Sequence, residues 1–138
     1  MAKKNSKLIT IVLILVLITS WALWKRHQFS KNYKICIGNI NRITTPGWKQ
    51  SGDYTILYEF KVEGKTYNGT TNRNFCGNLD MDKVRSLLVN KSFPIAYLPG
   101  DCETCTLILN NDDARRFNYH LSEDLNKYDS ILTCQMQY

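Results

Sequence analysis

The feature that most constrains this chain is an apolar run near its N-terminus. Residues 8–24 read LITIVLILVLITSWALW and contain no charged side chain. As a helix, these 17 residues extend about 25 Å, slightly less than the ~30 Å hydrocarbon core of a bilayer, and flanking basic side chains can reach the headgroups. No side of this helix is polar, whereas a soluble amphipathic helix has a polar face. We therefore predict a membrane anchor in contact with the lipid bilayer. The residues assigned to it are Leu8, Ile14, Leu17, Trp21 and Trp24.

The flanks of this run indicate whether the segment is cleaved. A basic start, an apolar stretch and the small-x-small triplet at residues 20–22 resemble a secretory signal. No proline or glycine interrupts the run before the triplet, and Lys25 and Arg26 follow almost at once. These features favour an uncleaved anchor, with a cleaved signal as the alternative.

Orientation is not decided by charge, because lysines precede the run and Lys25, Arg26, Lys31 and Lys34 follow it. A short N-terminal tail and five cysteines, all downstream of the run, favour an extracytoplasmic domain, since disulfides persist outside the cytosol.

Net charge excludes one class of partner. The whole chain carries +6, which by itself is typical of nucleic-acid binding. Residues 1–34 hold seven of the 18 basic residues and no acidic one, so residues 35–138 hold 11 basic and 12 acidic residues, a net charge of −1. The excess charge belongs to the flanks of the anchor, and we expect no nucleic-acid partner.

The remaining sequence predicts an α+β domain that is mainly antiparallel β, a small barrel or sandwich behind one N-terminal transmembrane helix. The domains are residues 1–31, the anchor with its basic flanks, and residues 32–138, the β-rich domain. Strict alternation and a Glu63-Gly64 turn indicate a hairpin, and Asp80 is placed to cap a helix. The predicted strands are 32–44, 54–62, 65–71, 92–98 and 106–109, and the predicted helices are 81–89 and 112–125.

Two finer expectations concern faces and edges. In the first strand, Tyr33, Ile35 and Ile37 share one face, which the alternation assigns to the apolar side. Pro94 lacks a backbone N–H. This predicts either that strand 92–98 lies at a sheet edge or that Pro94 lies at the entry of the strand. Such an edge offers a place for a partner strand to pair.

Residues 54–67 read YTILYEFKVEGKTY, residues 93–99 read FPIAYLP, and Leu107-x-Leu109 follows. These segments resemble the pattern YxYxVxGKxYxG followed by FPVxYxPxxPxxSxL. That pattern is typical of a family of small bacterial membrane-anchored β-domain proteins of unknown function. The resemblance covers roughly residues 38–110, and DCETC at residues 101–105 stands where the family has a Pro/Ser-containing linker. It implies a tethered domain in a bacterial inner membrane, and no catalytic residue.

The cysteines leave several readings open. They are Cys36, Cys76, Cys102, Cys105 and Cys134. A structural disulfide is the favoured interpretation, and inert thiols are the next. Zinc binding or redox chemistry at the C-x-x-C of residues 102–105 is less favoured than either. That motif is predicted to follow a turn and precede a strand, whereas a redox pair is favoured at a helix N-terminus. Zinc would need further ligands, for which Cys76, Cys134 and His120 are available.

No motif indicates catalysis. The carboxylate pairs at residues 112–113 and 123–124 are adjacent in sequence, which is typical of capping or solvent-facing residues. We expect no enzyme activity, no cofactor and no metal, and Trp48, in a polar loop, is a candidate interface residue.

The sequence thus predicts an envelope protein, of accessory or immunity type, that presents its β-domain to another envelope protein. The alternative is a thiol-dependent redox or zinc-binding envelope protein.

Overall fold

The structure, a computed structural model, describes residues 2–45, 54–75 and 80–129, with side chains from residue 9 onward. Several predicted residues lie outside this description: the side chain of Leu8, and Trp48, Cys76 and Cys134. The chain divides into two compact units, Met1–Tyr33 and Lys34–Tyr138.

The first unit is one helix, α1, Ala2–Asn32. It continues without interruption through the triplet at residues 20–22. Its large apolar side chains from Ile9 to Trp24 are between 51% and 68% exposed, and Thr19 satisfies its hydroxyl by donating to the Leu15 and Val16 carbonyls at 3.0 Å. By length and composition this helix can cross a membrane.

The second unit is an antiparallel five-stranded sheet with helices between and after its strands. The strands are β1 Lys34–Thr44, β2 Tyr54–Val62, β3 Lys65–Arg73, β4 Ser92–Leu98 and β5 Asp101–Leu107. The helices are α2 Met81–Leu88, α3 Asn111–Arg116 and α4 Glu123–Asn126. The strand order is β3-β2-β1-β4-β5.

The outer strands β3 and β5 approach each other, so the sheet curls into a nearly closed barrel. Across the described residues, backbone pairing does not join these two strands. A five-stranded, partly open barrel of this order, with a helix between the third and fourth strands, has the topology of an OB-fold. The predicted class, α+β and mainly antiparallel β, is confirmed.

Aromatic and aliphatic side chains fill the barrel. Tyr58 and Phe60 are 1% and 2% exposed, and Phe60 packs against Tyr67 and Tyr97 with ring centroids 5.7 and 6.0 Å apart. Alternation along β2 therefore identifies its inward face correctly. The most deeply buried side chains around these rings are Ile40, Ile56, Phe93, Ile95 and Leu107.

The β2–β3 hairpin forms as predicted. Val62 pairs with Lys65, so two residues make the turn, and both have positive φ, 51° at Glu63 and 80° at Gly64. Positive φ at both positions is the geometry of a type I′ turn, whose twist matches that of the flanking strands.

The expected inward face of β1 is wrong. Ile37 is 59% exposed, whereas Gly38 and Ile40 are buried and Cys36 is partly buried against the core. The register with β2 shifts between Ile40 and Arg42, so a bulge brings Ile43 back inside. Apolar residues on both faces hid the parity of this strand.

Of the two expectations for Pro94, the edge position of β4 is wrong, whereas a place near the strand entry is correct, because Pro94 is the third residue of β4. β4 pairs with β1 on one side and with β5 on the other, so no free edge is available for a partner strand. The carbonyl of Pro94 accepts the Ile108 N–H at 2.9 Å. The N and C=O groups of one strand residue point toward the same neighbouring strand, so the Pro94 nitrogen points to the β5 side. It lies beyond the last β4–β5 pair, and its missing N–H therefore removes no hydrogen bond from the ladder.

The predicted helix at residues 112–125 is two short helices instead. Asn110 caps α3 by accepting the Asp113 N–H at 2.9 Å. The helix ends before Phe117, and Asn118 has a φ of 45°, a left-handed conformation that stops helices. Asn118 therefore separates α3 from α4.

An ion pair ties α3 to the barrel. Arg73 Nη2 donates to Asp113 Oδ2 at 2.5 Å, and that oxygen also accepts the Leu109 N–H at 3.2 Å. The side chain of Asp113 is 6% exposed and that of Arg73 is 30% exposed. Asp113, expected to cap a helix or face water, is instead a buried acceptor.

Asp113→Asn is expected to lower the free energy of unfolding by about 2 kcal/mol, because it leaves Arg73 without its counter-charge in a partly screened site. Urea unfolding of the detergent-solubilised chain measures this change. Asp112→Asn is the matched control, since Asp112 is 65% exposed and pairs with Arg115 at 3.7 Å; we expect a change below about 0.5 kcal/mol there. Equal unfolding midpoints for the two variants would contradict the role assigned to the pair.

Candidate thiol–tyrosine site

The C-x-x-C motif lies inside strand β5, not before it. Tyr97 pairs with Cys105, but the next residue, Leu98, pairs with Asp101. Residues 102–104 therefore form a bulge opposite a single step of β4. Thr104 donates to Asp101 Oδ2 at 2.9 Å across this bulge. The predicted strand began at residue 106 because the apolar pattern begins there, whereas the pairing with β4 begins at Asp101.

The bulge turns both thiols toward the core. In a regular strand, residues three positions apart point to opposite faces. Here Cys102 and Cys105 both pack, partly buried, against the hydrophobic core, as does Cys36 from β1. Three cysteines on two strands thus converge at one end of the barrel.

Cys105 is in contact with the most buried tyrosine. The Tyr58 hydroxyl lies 3.4 Å from Cys105 Sγ. Burial raises the pKa of Tyr58 far above its ordinary value, so its hydroxyl keeps its proton and can donate to the sulfur, although either atom can be the donor in this contact. Burial also raises the pKa of Cys105, and the hydrogen bond from Tyr58 partly opposes that rise by favouring the thiolate.

Cys36 is a weakly acidic thiol. Burial first, and then the neighbouring Cys105 and Cys102, raise its pKa to about 11. A thiol with this pKa is protonated near neutral pH and is a poor nucleophile.

The expected structural disulfide does not occur among the described cysteines. Cys36, Cys102 and Cys105 are all free thiols. The other two candidates, Cys76 and Cys134, lie outside the described residues.

Cys102 opens onto a cleft of about 410 Å³ between the β2–β3 and β4–β5 hairpins. Tyr67 and Tyr97 form its aromatic walls. Partial desolvation and a hydrogen bond to Cys102 raise the pKa of Tyr67. The charged residues at the cleft are Lys34, Lys65, Glu63, Asp101 and Glu103. Both side chains are partly buried, but Cys102 lines the cleft and Cys105 does not, so the two thiols of the motif differ in their access to the cleft.

The other residues that the sequence offered as metal ligands or acid–base groups lie away from this cleft. Within the described ranges, no group of three or more His, Cys, Asp or Glu residues is arranged to hold a metal ion. His120, considered as a zinc ligand, is exposed on the segment after α3 and lines a different, smaller pocket. Glu123 and Asp124 are exposed in α4.

Sequence reasoning identified the C-x-x-C motif but missed its neighbours. Strand alternation alone gives Tyr58 a packing role, and nothing in the sequence places Cys36 beside residues 102–105. The sequence of β1 gave no decisive signal for Cys36, because Ile35 and Ile37 alternate as regularly as Gly38 and Ile40, whose parity Cys36 shares. The bulge in β5 had no such signal.

No protein family, curated protein or solved structure matches this chain.

Proposed function

We propose that this chain is a non-enzymatic, single-pass protein of the bacterial cell envelope, of accessory or immunity type. In this proposal α1 is held in the inner membrane, and the barrel lies on the extracytoplasmic side and binds another envelope protein. The observation that carries the proposal is α1, whose large apolar side chains from Ile9 to Trp24 are all more than half exposed. In water this surface would be strongly unfavourable, whereas in a bilayer it is solvated by lipid.

Two further features of α1 support its placement in a membrane. Trp21 and Trp24 lie at the C-terminal end of the apolar run, where indoles favour the headgroup region. Lys25 Nζ lies 4.9 Å from the centre of the Trp21 ring, so the cation and the ring can occupy the same interfacial layer.

The cleft between the two hairpins is the surface best suited to a protein partner. Tyr67 and Tyr97 offer aromatic area with polar hydroxyls, a combination enriched at protein interfaces. Two lysines and three acidic residues surround them, so the cleft has no strong charge of one sign. This mixture suits a polypeptide, and it is unsuited to a nucleic-acid backbone, which needs a basic surface.

The test is site-specific photo-crosslinking in native membranes. A photoreactive amino acid at position 65, beside the cleft, is expected to give a discrete adduct with one membrane or envelope protein. The matched control is position 72, which is exposed on the same strand about 23 Å away and is expected to give none. Glu103→Lys, combined with the probe at position 65, is expected to reduce the adduct, because it reverses a charge at the cleft rim.

Three results would overturn this proposal: no adduct from position 65, the same adduct from both positions, or an adduct unaffected by Glu103→Lys. Each would remove the cleft as the binding surface.

A further inference from the structure

We propose that Cys102 and Cys105 are a thiol–disulfide exchange site, at which a disulfide-containing molecule entering the cleft oxidises the pair to a Cys102–Cys105 disulfide. This inference rests on the bulge in β5 and on the different access of the two thiols. It does not depend on the identity or existence of a protein partner at the cleft.

The bulge brings the ends of the motif together. An extended strand separates residues three positions apart by about 10 Å, beyond the roughly 4.4–6.8 Å that a disulfide allows between Cα atoms. Here Asp101 and Cys105 pair with consecutive residues of β4, whose Cα atoms are about 3.8 Å apart. Four steps of chain therefore cover one step of sheet, which draws Cys105 back toward Asp101 and its neighbour Cys102. The Thr104–Asp101 hydrogen bond closes the same loop.

The surroundings give the two thiols different roles. Cys102 lines the cleft, where a disulfide can approach it. Cys105 lies behind it, in contact with the Tyr58 hydroxyl. Because Tyr58 stays protonated, it can donate a hydrogen bond to the sulfur of Cys105 as negative charge develops there. The geometry thus makes Cys102 the attacking residue, Cys105 the resolving residue and Tyr58 a positioning residue.

The exchange balances with a disulfide RSSR as the oxidant. The Cys102 thiolate attacks one sulfur of RSSR, forming a mixed disulfide and releasing the first thiolate RS⁻. The Cys105 thiolate then attacks Cys102 Sγ in this mixed disulfide, forming the Cys102–Cys105 bond and releasing the second RS⁻. The two protein thiols lose two protons and two electrons, and RSSR becomes two RSH.

Peptide mapping of the reduced, detergent-solubilised full chain tests the proposal without any substitution. Cleavage after Lys and Arg releases residues 92–115 as one peptide, which contains Cys102 and Cys105 and no other cysteine. After incubation with oxidised glutathione, this peptide is expected to be lighter by two hydrogen atoms under non-reducing conditions. A peptide that stays reduced, or that is joined to a peptide containing Cys36, Cys76 or Cys134, overturns the proposal.

Variants then test the order of attack. Cys105→Ser is expected to stop at a glutathione adduct on Cys102, and Cys102→Ser to slow adduct formation at Cys105 by about tenfold or more, because Cys105 is less accessible. Cys36→Ser is the control, expected to form the same disulfide within about twofold of the native rate. Equal adduct rates at position 102 and position 105 overturn the assignment of Cys102 as the attacking residue.

Tyr58→Phe separates positioning from packing. It removes only the hydroxyl, and it is expected to slow resolution of the mixed disulfide at Cys102 while leaving formation of that adduct unchanged. If both steps slow equally, or neither slows, Tyr58 is not a positioning residue for Cys105.

Discussion

Replacing Leu13 and Leu17 with arginine is expected to release the protein from the membrane. These side chains are 57% and 68% exposed near the middle of the apolar run of α1. An arginine at the centre of a membrane helix costs about 2.5–3.5 kcal/mol on insertion scales. Two arginines therefore cancel most of the favourable free energy of insertion that the leucines contribute. We expect the native chain to remain in the membrane pellet after alkaline carbonate extraction, and the double variant to appear in the supernatant.

The control adds the same charge outside the apolar run. His27 and Ser30 are exposed residues of the same helix, and His27→Arg with Ser30→Arg is expected to leave the protein in the pellet, since basic residues there can reach the headgroups. A reporter enzyme active only outside the cytosol, fused after Tyr138, gives a second measurement. It is expected to be active on the native chain and silent on the Leu13/Leu17 variant. Carbonate-resistant pelleting of that variant would contradict anchoring by α1.

Local features of this domain could be predicted from the sequence because their causes are local. The β2–β3 hairpin depends on a glycine in the turn and on alternation in two adjacent segments, all within residues 54–73. The α2 helix depends on Asp80, which accepts the Asp82 N–H at 3.0 Å, and on one buried stripe that includes Val84 and Leu88. Each signal lies within a few residues of the structure that it specifies.

Features that depend on strand pairing could not be predicted in the same way. The bulge in β5 arises from its register against β4, and nothing in DCETC marks which residues leave the ladder. The predicted inward face of β1 is wrong because the apolar alternation through Ile35 and Ile37 is as regular as the one through Gly38 and Ile40. Pairing with both β2 and β4, not local hydrophobicity, selects the second set. The thiol–tyrosine site depends on both features, so only its C-x-x-C motif was visible in the sequence.

Gly38 is a position in the barrel where the addition of one methyl group is expected to cause a large loss of stability. Gly38 is buried and pairs with Phe60 on one side and with Phe93 on the other. A Cβ atom there would overlap Ile95 Cδ1 and the Glu59 carbonyl oxygen, and would lie 2.8 Å from Phe60 Cβ. The end of the Ile95 side chain can move. The Glu59 carbonyl cannot, because its residue is held in the β1–β2 ladder opposite Asn39.

Gly38→Ala is therefore expected to lower the free energy of unfolding by about 3 kcal/mol, at the upper end of the usual range for overpacking. The loss of tyrosine near-ultraviolet circular dichroism during urea unfolding measures it, because Tyr58, Tyr67 and Tyr97 pack in or against the core. Asn39→Ala is the matched control: Asn39 is the next residue of β1, is exposed, and loses only a surface hydrogen bond from the Ser92 hydroxyl. We expect that control to change stability by less than about 1 kcal/mol. If both variants unfold at the same urea concentration, the close approach of Glu59 and Phe60 to Gly38 is not what limits this position, and β1 must be able to move away from β2 without loss of the core.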